Sequence, residues 1–257
     1  ATWNINSVRL RLDLVLDFLQ KANIDVLCLQ ETKTQDEFFP VAALADAGWG
    51  HSVFRGEKSY NGVAIISRLP VKYYEHRLWA GKDDCRHICA RINGVKIHNF
   101  YVPAGGDVAD RDVNPKFGHK IDFVDEMKEW FSNNSPRKSV LVGDLNIAPL
   151  AEDVWSTRQL RNVVSHTDIE REKLTAVINE GGWVDAVREY YGPEKILYSW
   201  WSYRARDWKA SNRGRRLDHI WLSTDLKNKV RDVDIMTQAR SFEKPSDHVP
   251  MTIELAE

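Results

Sequence analysis

Ser139-Val140-Leu141-Val142-Gly143-Asp144-Leu145-Asn146-Ile147-Ala148-Pro149 is the stretch that decides the architecture. Its apolar, β-branched start reads as a buried strand. The strand runs straight into Gly143, Asp144 and Asn146, and Pro149 stops it. A carboxylate and an amide at such a place must be paired or metal-bound, because burying them alone costs on the order of several kcal/mol. Gly143 leaves room for close backbone approach. An Asx turn closing the strand would also use these residues, so the weight falls on the rest of the chain.

Working outward, the same pattern recurs. Upstream, a helix with Phe117, Ile121, Val124, Met127 and Phe131 on one face leads into this strand. Before it, Asn93-Gly94 joins the alternating runs Ile88–Ile92 and Val95–Val102, a strong hairpin signal, and the second run ends at Tyr101-Val102-Pro103. Ile24–Leu29 is another buried strand, followed directly by Gln30-Glu31-Thr32-Lys33. At the start, Trp3 and Ile5 alternate with Asn4 and Asn6, and Ser7 is expected to cap a helix from Val8 to Ala22. Arg9 and Arg11 then fall in the first helical turn, where the dipole disfavours cations and a phosphate would account for them. Ala1 reads as part of the first strand, so the native chain is expected to start a few residues earlier. Strands are expected at Ser52–Arg55, Val63–Ser67 and Val71–Arg77, and a short helix over Asp36–Ala47 interrupted by Pro40. Downstream, helices are expected over Asp168–Asn179 and Val184–Tyr191, and strands at Leu217–Ser223, Val230–Met236 and His248–Leu255. No linker, repeat or low-complexity tract divides the chain, and 1–257 is expected to form one domain.

Composition bounds the function. The chain has 257 residues, is 43% hydrophobic and 28% charged, and carries a formal net charge of -1, which excludes a strongly basic nucleic-acid coat but leaves room for a local basic face. No apolar run is long enough to span a membrane and no signal peptide is evident. The cysteines Cys28, Cys85 and Cys89 are odd in number and lack paired metal spacing, which fits a reduced, cytoplasmic protein. Ten tryptophans exceed what the core needs, so some are expected to serve as contact surfaces.

The polar residues at strand ends form one set. Asn4, Asn6, Glu31, Tyr101, Asp144 and Asn146 lie at C-terminal ends; Asp218 and His248 lie at N-terminal starts. In mixed sheets those two kinds of end meet on one edge. Glu31, Asp144, Asn146, Asp247 and Asn4 are hard oxygen donors suited to Mg²⁺ or Mn²⁺. His248 beside a carboxylate makes an oriented imidazole. Together these groups fit hydrolysis of a phosphodiester.

Trp3-Asn4-Ile5-Asn6, Leu29-Gln30-Glu31-Thr32-Lys33, Tyr101-Val102-Pro103, Gly143-Asp144-Leu145-Asn146, Arg216-Leu217-Asp218 and Ser246-Asp247-His248 resemble, in order and across nearly the whole chain, the signature series of the exonuclease III class of AP endonucleases, within the endonuclease/exonuclease/phosphatase superfamily. The resemblance implies a DNase I-like, four-layer α/β sandwich: two packed mixed or antiparallel β-sheets flanked by helices. It implies Mg²⁺-dependent cleavage 5′ to abasic sites, with 3′→5′ exonuclease and 3′-end-cleaning activity on double-stranded DNA, by a monomer in the bacterial cytosol. By position it implies Glu31 as the main metal ligand, with Asn4 close by, Asn6 reaching the metal through water and Asp247 a further metal-related carboxylate; one metal or two stays open. It implies Asp144 as the group that activates water, Asn146 orienting it, Tyr101 on the scissile phosphate, and Asp218 holding His248. Ala104 departs from the pattern, since relatives usually carry a phosphate-binding amide there; the backbone N–H groups of Gly105 and Gly106 are the expected substitute. His219 is expected to be packed or exposed on its strand, without a role in the chemistry.

The segment Tyr198 to Arg216 mixes aromatics with arginines and has little periodicity. Arg204, Arg206, Lys209, Arg213 and Arg215 are expected to meet phosphates. Trp208 and Leu217 resemble the pocket for a flipped-out abasic sugar, and Trp200 and Trp201 are expected in the core. The resemblance adds Arg9, Lys33, Tyr60 and Asn61 as backbone contacts. Two other readings remain at this point: a phosphoesterase of the same superfamily acting on a phosphoinositide or other small phosphate, and a non-catalytic nucleic-acid-binding regulator.

Overall fold

The computed structural model describes residues 1–256. In chain order its strands are β1 (Thr2–Asn4), β2 (Val26–Gln30), β3 (His51–Arg55), β4 (Val63–Ser67), β5 (Val71–Glu75), β6 (His87–Ile92), β7 (Val95–Tyr101), β8 (Ser139–Asp144), β9 (Trp183–Asp185), β10 (Asp218–Ser223), β11 (Val230–Ile235) and β12 (Met251–Leu255). The helices are α1 (Leu12–Lys21), α2 (Val41–Asp46), α3 (Pro115–Asn133), α4 (Thr157–Leu160), α5 (Asp168–Gly181), α6 (Ala186–Tyr191) and α7 (Trp208–Ser211). The strands form two six-stranded sheets, ordered β11-β12-β1-β2-β4-β3 and β5-β6-β7-β8-β10-β9. One neighbouring pair in each is parallel, β1/β2 and β7/β8, and the other neighbours are antiparallel.

Alternation along the strands builds the layers. Cys28, Val63, Ile65, Val140, Val142, Ile220 and Leu222 face inward and fill the core between the sheets. Their neighbours Leu27, Leu29, Ala64 and Ile66 face outward onto Val15, Phe18 and Leu19 of α1. On the other sheet Phe100, Leu141 and Trp221 pack outward on Phe123, Val124 and Met127 of α3 and Leu174 and Val177 of α5. Strands covered on both faces have no need of polar positions, which is why they read as continuous apolar runs. The result is the expected four-layer sandwich, helix–sheet–sheet–helix. A polar tie crosses between the sheets beneath the strand ends: Gln30 Nε2 donates to Asn99 Oδ1 at 2.7 Å, and Asn99 Nδ2 donates to the carbonyls of Leu29 and Ala64, both at 2.9 Å.

Three local expectations are corrected. Ser7 does not cap α1, which begins at Leu12 with Arg11 at its N-cap. Ser7 N and Val8 N instead bond the carbonyls of Glu31 and Thr32 at 2.7 and 3.1 Å, so the loop after β2 claims the residues expected in the first turn. Arg11 then needs no phosphate. It is buried and donates to the carbonyls of Lys244 and Ile5 and to the Tyr203 hydroxyl. Finally, the helix expected from Val184 is strand β9 followed by α6, because β9 pairs with β10 before Asp185 caps the helix.

Candidate active site

Sheet register assembles the site. Tyr101 of β7 lies opposite Asp144 of β8, and Asp144 lies opposite Asp218 of β10. In the facing sheet Asn4 of β1 lies opposite Gln30 of β2, one residue before Glu31. The antiparallel return into β12 brings Ser246-Asp247-His248 to the same edge: Ser246 Oγ donates to the Asn4 carbonyl at 2.6 Å and Trp3 Nε1 to the His248 carbonyl at 3.1 Å. Asn6, Glu31, Lys33 and Asn146 sit at φ between +47° and +53°, a conformation that places non-glycine side chains only where the surroundings impose it.

Asp144 is the hub. It is buried, and its carboxylate accepts from Asn4 Nδ2 at 2.9 Å, Asn146 Nδ2 at 3.1 Å and Asn146 N at 2.9 Å. His248 Nε2 stands 3.6 Å from the same carboxylate, while its Nδ1 lies 2.7 Å from Asp218 Oδ2. Asp218 is held by Ser199 Oγ at 2.6 Å. On the facing side the Tyr101 hydroxyl donates to Glu31, whose other oxygen is 3.3 Å from Lys33 Nζ. Lys33 also donates to Asn6 Oδ1 at 2.7 Å, Asn6 Nδ2 to Asp247 Oδ1 at 3.2 Å, and Trp200 Nε1 to Asp247 Oδ2 at 3.0 Å. All nine residues expected to carry catalysis or metal binding therefore stand in one hydrogen-bonded cluster.

Electrostatics follow from burial and crowding. Burial opposes charge on His248, but Asp218 and Asp144 outweigh it and hold the imidazole in its cationic form. Burial raises the Asp144 carboxyl, and Asp218 and Glu31 add to the rise against the pull of His248. Burial, then Glu31 and Asp144, push the Tyr101 phenol well above its usual value. Burial also works against Asp247, yet His248, Trp200 and Asn6 keep it ionised below the ordinary carboxylate range.

The oxygen donors fit a divalent cation. Ligand atoms of Asp144, Asp218 and His248 lie within 4.8 Å of one another. Both ring nitrogens of His248 face carboxylates, however, one in a hydrogen bond to Asp218 and the other in an ion pair with Asp144, so this trio is a charge relay rather than a metal cage. Glu31, Asp144, Asp218 and Asp247 crowd four carboxylates at this edge, with the His248 imidazolium and the Lys33 ammonium in direct contact with them. Glu31, Asn4 and Asp247 supply the hard oxygens that a cation there requires.

Of the other expected contacts, Arg9, Tyr60, Arg204, Arg206, Lys209 and Arg213 are exposed, and Lys33 and Asn61 are half-buried at the edge. Three expectations are corrected. Arg215 turns inward, its Nη1 donating to Val164 O at 3.0 Å and Ser165 Oγ at 2.7 Å and its guanidinium lying over the Trp200 ring, so it is held against the protein rather than extended to solvent. Trp208 and Leu217 do not share a pocket: Trp208 packs on Trp201, 5.1 Å between ring centroids, whereas Leu217 clusters with Val154, Trp155 and Trp200. Trp201 is core, but Trp200 is half-buried and holds Asp247, a role the Trp-Trp pair conceals in sequence. The reading also missed Ser199, Arg86, whose guanidinium lies 4.8 Å from the Tyr101 ring, and Lys120. His219 is buried, its Nε2 donating to Ile147 O at 2.9 Å while its Nδ1 accepts from Arg216.

Two sheets that converge on a carboxylate–histidine relay beside an acidic, oxygen-rich edge define a hydrolytic phosphoesterase scaffold. The chain belongs to the endonuclease/exonuclease/phosphatase family, whose model matches residues 1–248. It is 28% identical to exodeoxyribonuclease III of Haemophilus influenzae over 98% of each chain, and 30% identical to the DNA repair nuclease APEX1 of Danio rerio over 100% of this chain and 81% of that one. It superposes with a TM-score of 0.92 on a 3′ phosphatase from Neisseria solved with a product DNA hairpin (33% identity, 100% and 98% coverage). An AP endonuclease from Archaeoglobus fulgidus gives the same score (32% identity, 99% and 97% coverage).

Proposed function

We propose that this chain is a Mg²⁺-dependent DNA-repair phosphodiesterase, with Mn²⁺ able to substitute, that cuts duplex DNA 5′ to abasic sites and removes nucleotides and blocking groups from 3′ ends. The reading includes a monomer acting in the cytoplasm. The observation that carries it is the Asp144 carboxylate, held by Asn4 and Asn146 and faced by a histidine that Asp218 orients.

Asp144, with its raised proton affinity, accepts the proton of an attacking water that Asn146 orients. His248 in its cationic form donates to a non-bridging oxygen of the scissile phosphate, and Asp218 keeps the ring aimed while that charge grows. Tyr101 donates to the same phosphate once it leaves Glu31. Glu31, Asn4 and Asp247 hold the cation, with Asn6 reaching it through water; bound Mg²⁺ supplies charge neutralisation at the phosphate. Arg9, Lys33, Tyr60, Asn61, Arg204, Arg206 and Arg213 line the approach for the DNA backbone. Leu217 with Trp200 takes the apolar face of a flipped-out sugar, in place of the Trp208 pairing.

The test is one labelled duplex with a single abasic analogue, beside an undamaged duplex with a recessed 3′ end, each with Mg²⁺ and with EDTA. Incision at the analogue only with metal supports the reading. Digestion of the undamaged duplex without that incision leaves a 3′ exonuclease, and binding without cleavage leaves a regulator.

A further inference from the structure

We propose that Lys120 is a positioning residue that aims the Gly105 N–H at a non-bridging oxygen of the scissile phosphodiester; the inference rests on the phosphodiesterase reading above. Lys120 lies on α3 and is fully buried, with its ammonium 2.5 Å from the equally buried Glu170 carboxylate on α5. Glu170 is itself anchored, accepting from Ser165 N at 2.9 Å and Thr167 N at 3.1 Å. The same ammonium donates to the Asn146 carbonyl at 2.8 Å and the Ala104 carbonyl at 3.3 Å. Those carbonyls belong to the two loops that leave β8 and β7, so one buried cation ties together the backbones behind Asp144 and Tyr101.

The tie has a directional consequence. The described peptide bonds are all trans, and in a trans peptide the C=O and N–H point in opposite directions. With the Ala104 oxygen drawn inward to Lys120, the N–H of the buried Gly105 points away from the lysine. Among the described residues that N–H has no acceptor. Gly105 sits at φ +89°, and a Cβ there would lie 2.8 Å from Lys120 Cδ and 3.0 Å from Val164 Cγ1, so the loop follows the lysine stem too closely for any other residue. Earlier in the same loop the Val102 carbonyl accepts Asn146 Nδ2 at 2.9 Å, which keeps the loop against the Asp144–Asn146 pair. A fixed, unpaired N–H beside a site for an anion is a preorganised donor.

The test compares the unaltered protein with Lys120→Met/Glu170→Gln, which removes the ion pair while keeping its volume, and with the same variant carrying Ala104→Asn, whose side-chain amide supplies a donor of its own. Cleavage of the abasic-analogue duplex with Mg²⁺ is followed at saturating and limiting DNA. The double variant is expected to lose about tenfold in kcat, the worth of one hydrogen bond to a charged oxygen, with little change in KM. Ala104→Asn is expected to restore most of that loss. Undiminished cleavage in the double variant overturns the proposal, as does a loss that Ala104→Asn leaves in place, since bracing alone would not be replaced by a donor at 104. No cleavage by the unaltered protein overturns the phosphodiesterase reading and this one with it. A measurement without variants stands beside these: in ¹⁵N-labelled unaltered protein in EDTA, the Gly105 amide resonance is expected to move when that duplex is added. A resonance that stays in place overturns the proposal.

Discussion

Asp144 carries three donated hydrogen bonds and faces an imidazolium, yet it is buried among other carboxylates. A carboxylate so placed can take a proton without losing its orientation. Asp144→Asn keeps the shape but removes the proton acceptor, and its own amide N–H groups meet those of Asn4 and Asn146. We expect it to lower kcat at least about a hundredfold. His248→Ala removes the donor and leaves Asp218, whose Oδ1 already lacks a partner, with only Ser199, and a similar loss is expected. In both, DNA affinity measured in EDTA is expected to stay close to that of the parent, because the exposed arginines proposed for backbone binding are left in place. Retained turnover in the Asp144 variant would remove it from the mechanism.

Strand β8 shows how an element serves the site. Gly143 pairs with Phe100 across the parallel β7–β8 ladder at φ +140°, and a Cβ there would lie 1.9 Å from the Phe100 carbonyl oxygen. The strands meet this closely one residue before Asp144 and Tyr101, so the glycine sets the spacing of those two side chains. Gly143→Ala is expected to destabilise the fold by about 3 kcal/mol, and to depress cleavage further by displacing Asp144. Urea unfolding checks the first effect; a midpoint equal to the parent's would show that the strands separate at little cost. Arg216 acts at the same scale beneath β10. Fully buried, it donates to Asp153 at 2.6 Å and Asp185 at 2.9 Å, fixing the residue pair before Asp218.

Across the whole molecule, buried histidines set the acid limit. Burial lowers His98 to about 3 and His219 to about 4, and lowers His87 well below its ordinary 6.5. The unfolded chain binds protons at these sites below pH 6.5 while the folded chain does not. Their contribution to stability is therefore full above 6.5 and falls as pH drops toward about 4, by up to about 1.4 kcal/mol per pH unit for each imidazole, whereas the raised His248 contributes stability that is full below 6.5 and is lost as pH rises toward about 10. Asp144, raised by burial, works in the opposite sense and offsets one of the three. Urea midpoints between about pH 7 and pH 5 check this; an unchanged midpoint would mean that these imidazoles are already charged in the folded state. Charge distribution acts at this scale too. With a net charge of -1 the chain has no global attraction for DNA, so the proposed binding calls on local exposed cations such as Arg9, Arg204, Arg206 and Arg213. Four phosphate contacts predict roughly a hundredfold loss of duplex affinity between about 50 and 200 mM salt, measurable by fluorescence anisotropy, and a flat response would exclude that face.

Strand ends were legible in the sequence because their signal is local: a β-branched run that stops at Asp144, Glu31 or Tyr101 fixes both the strand and its polar terminus. That alone determined the sheets, the polar residues that gather at their shared edge and the class of chemistry those residues suit. Trp200, Arg215, Ser199 and Lys120 were not legible, because their roles depend on which neighbour the fold brings within reach. Arg215 reads as a phosphate contact until Val164 and Ser165 claim its guanidinium, and Trp200 reads as core until Asp247 accepts its N–H. Ser7 failed as a cap for the same reason, since the Glu31 loop lies 24 residues away in sequence and bonds its backbone first. Local sequence sets which groups a strand presents, whereas hydrogen bonds between distant segments decide which of them remain free to meet a substrate.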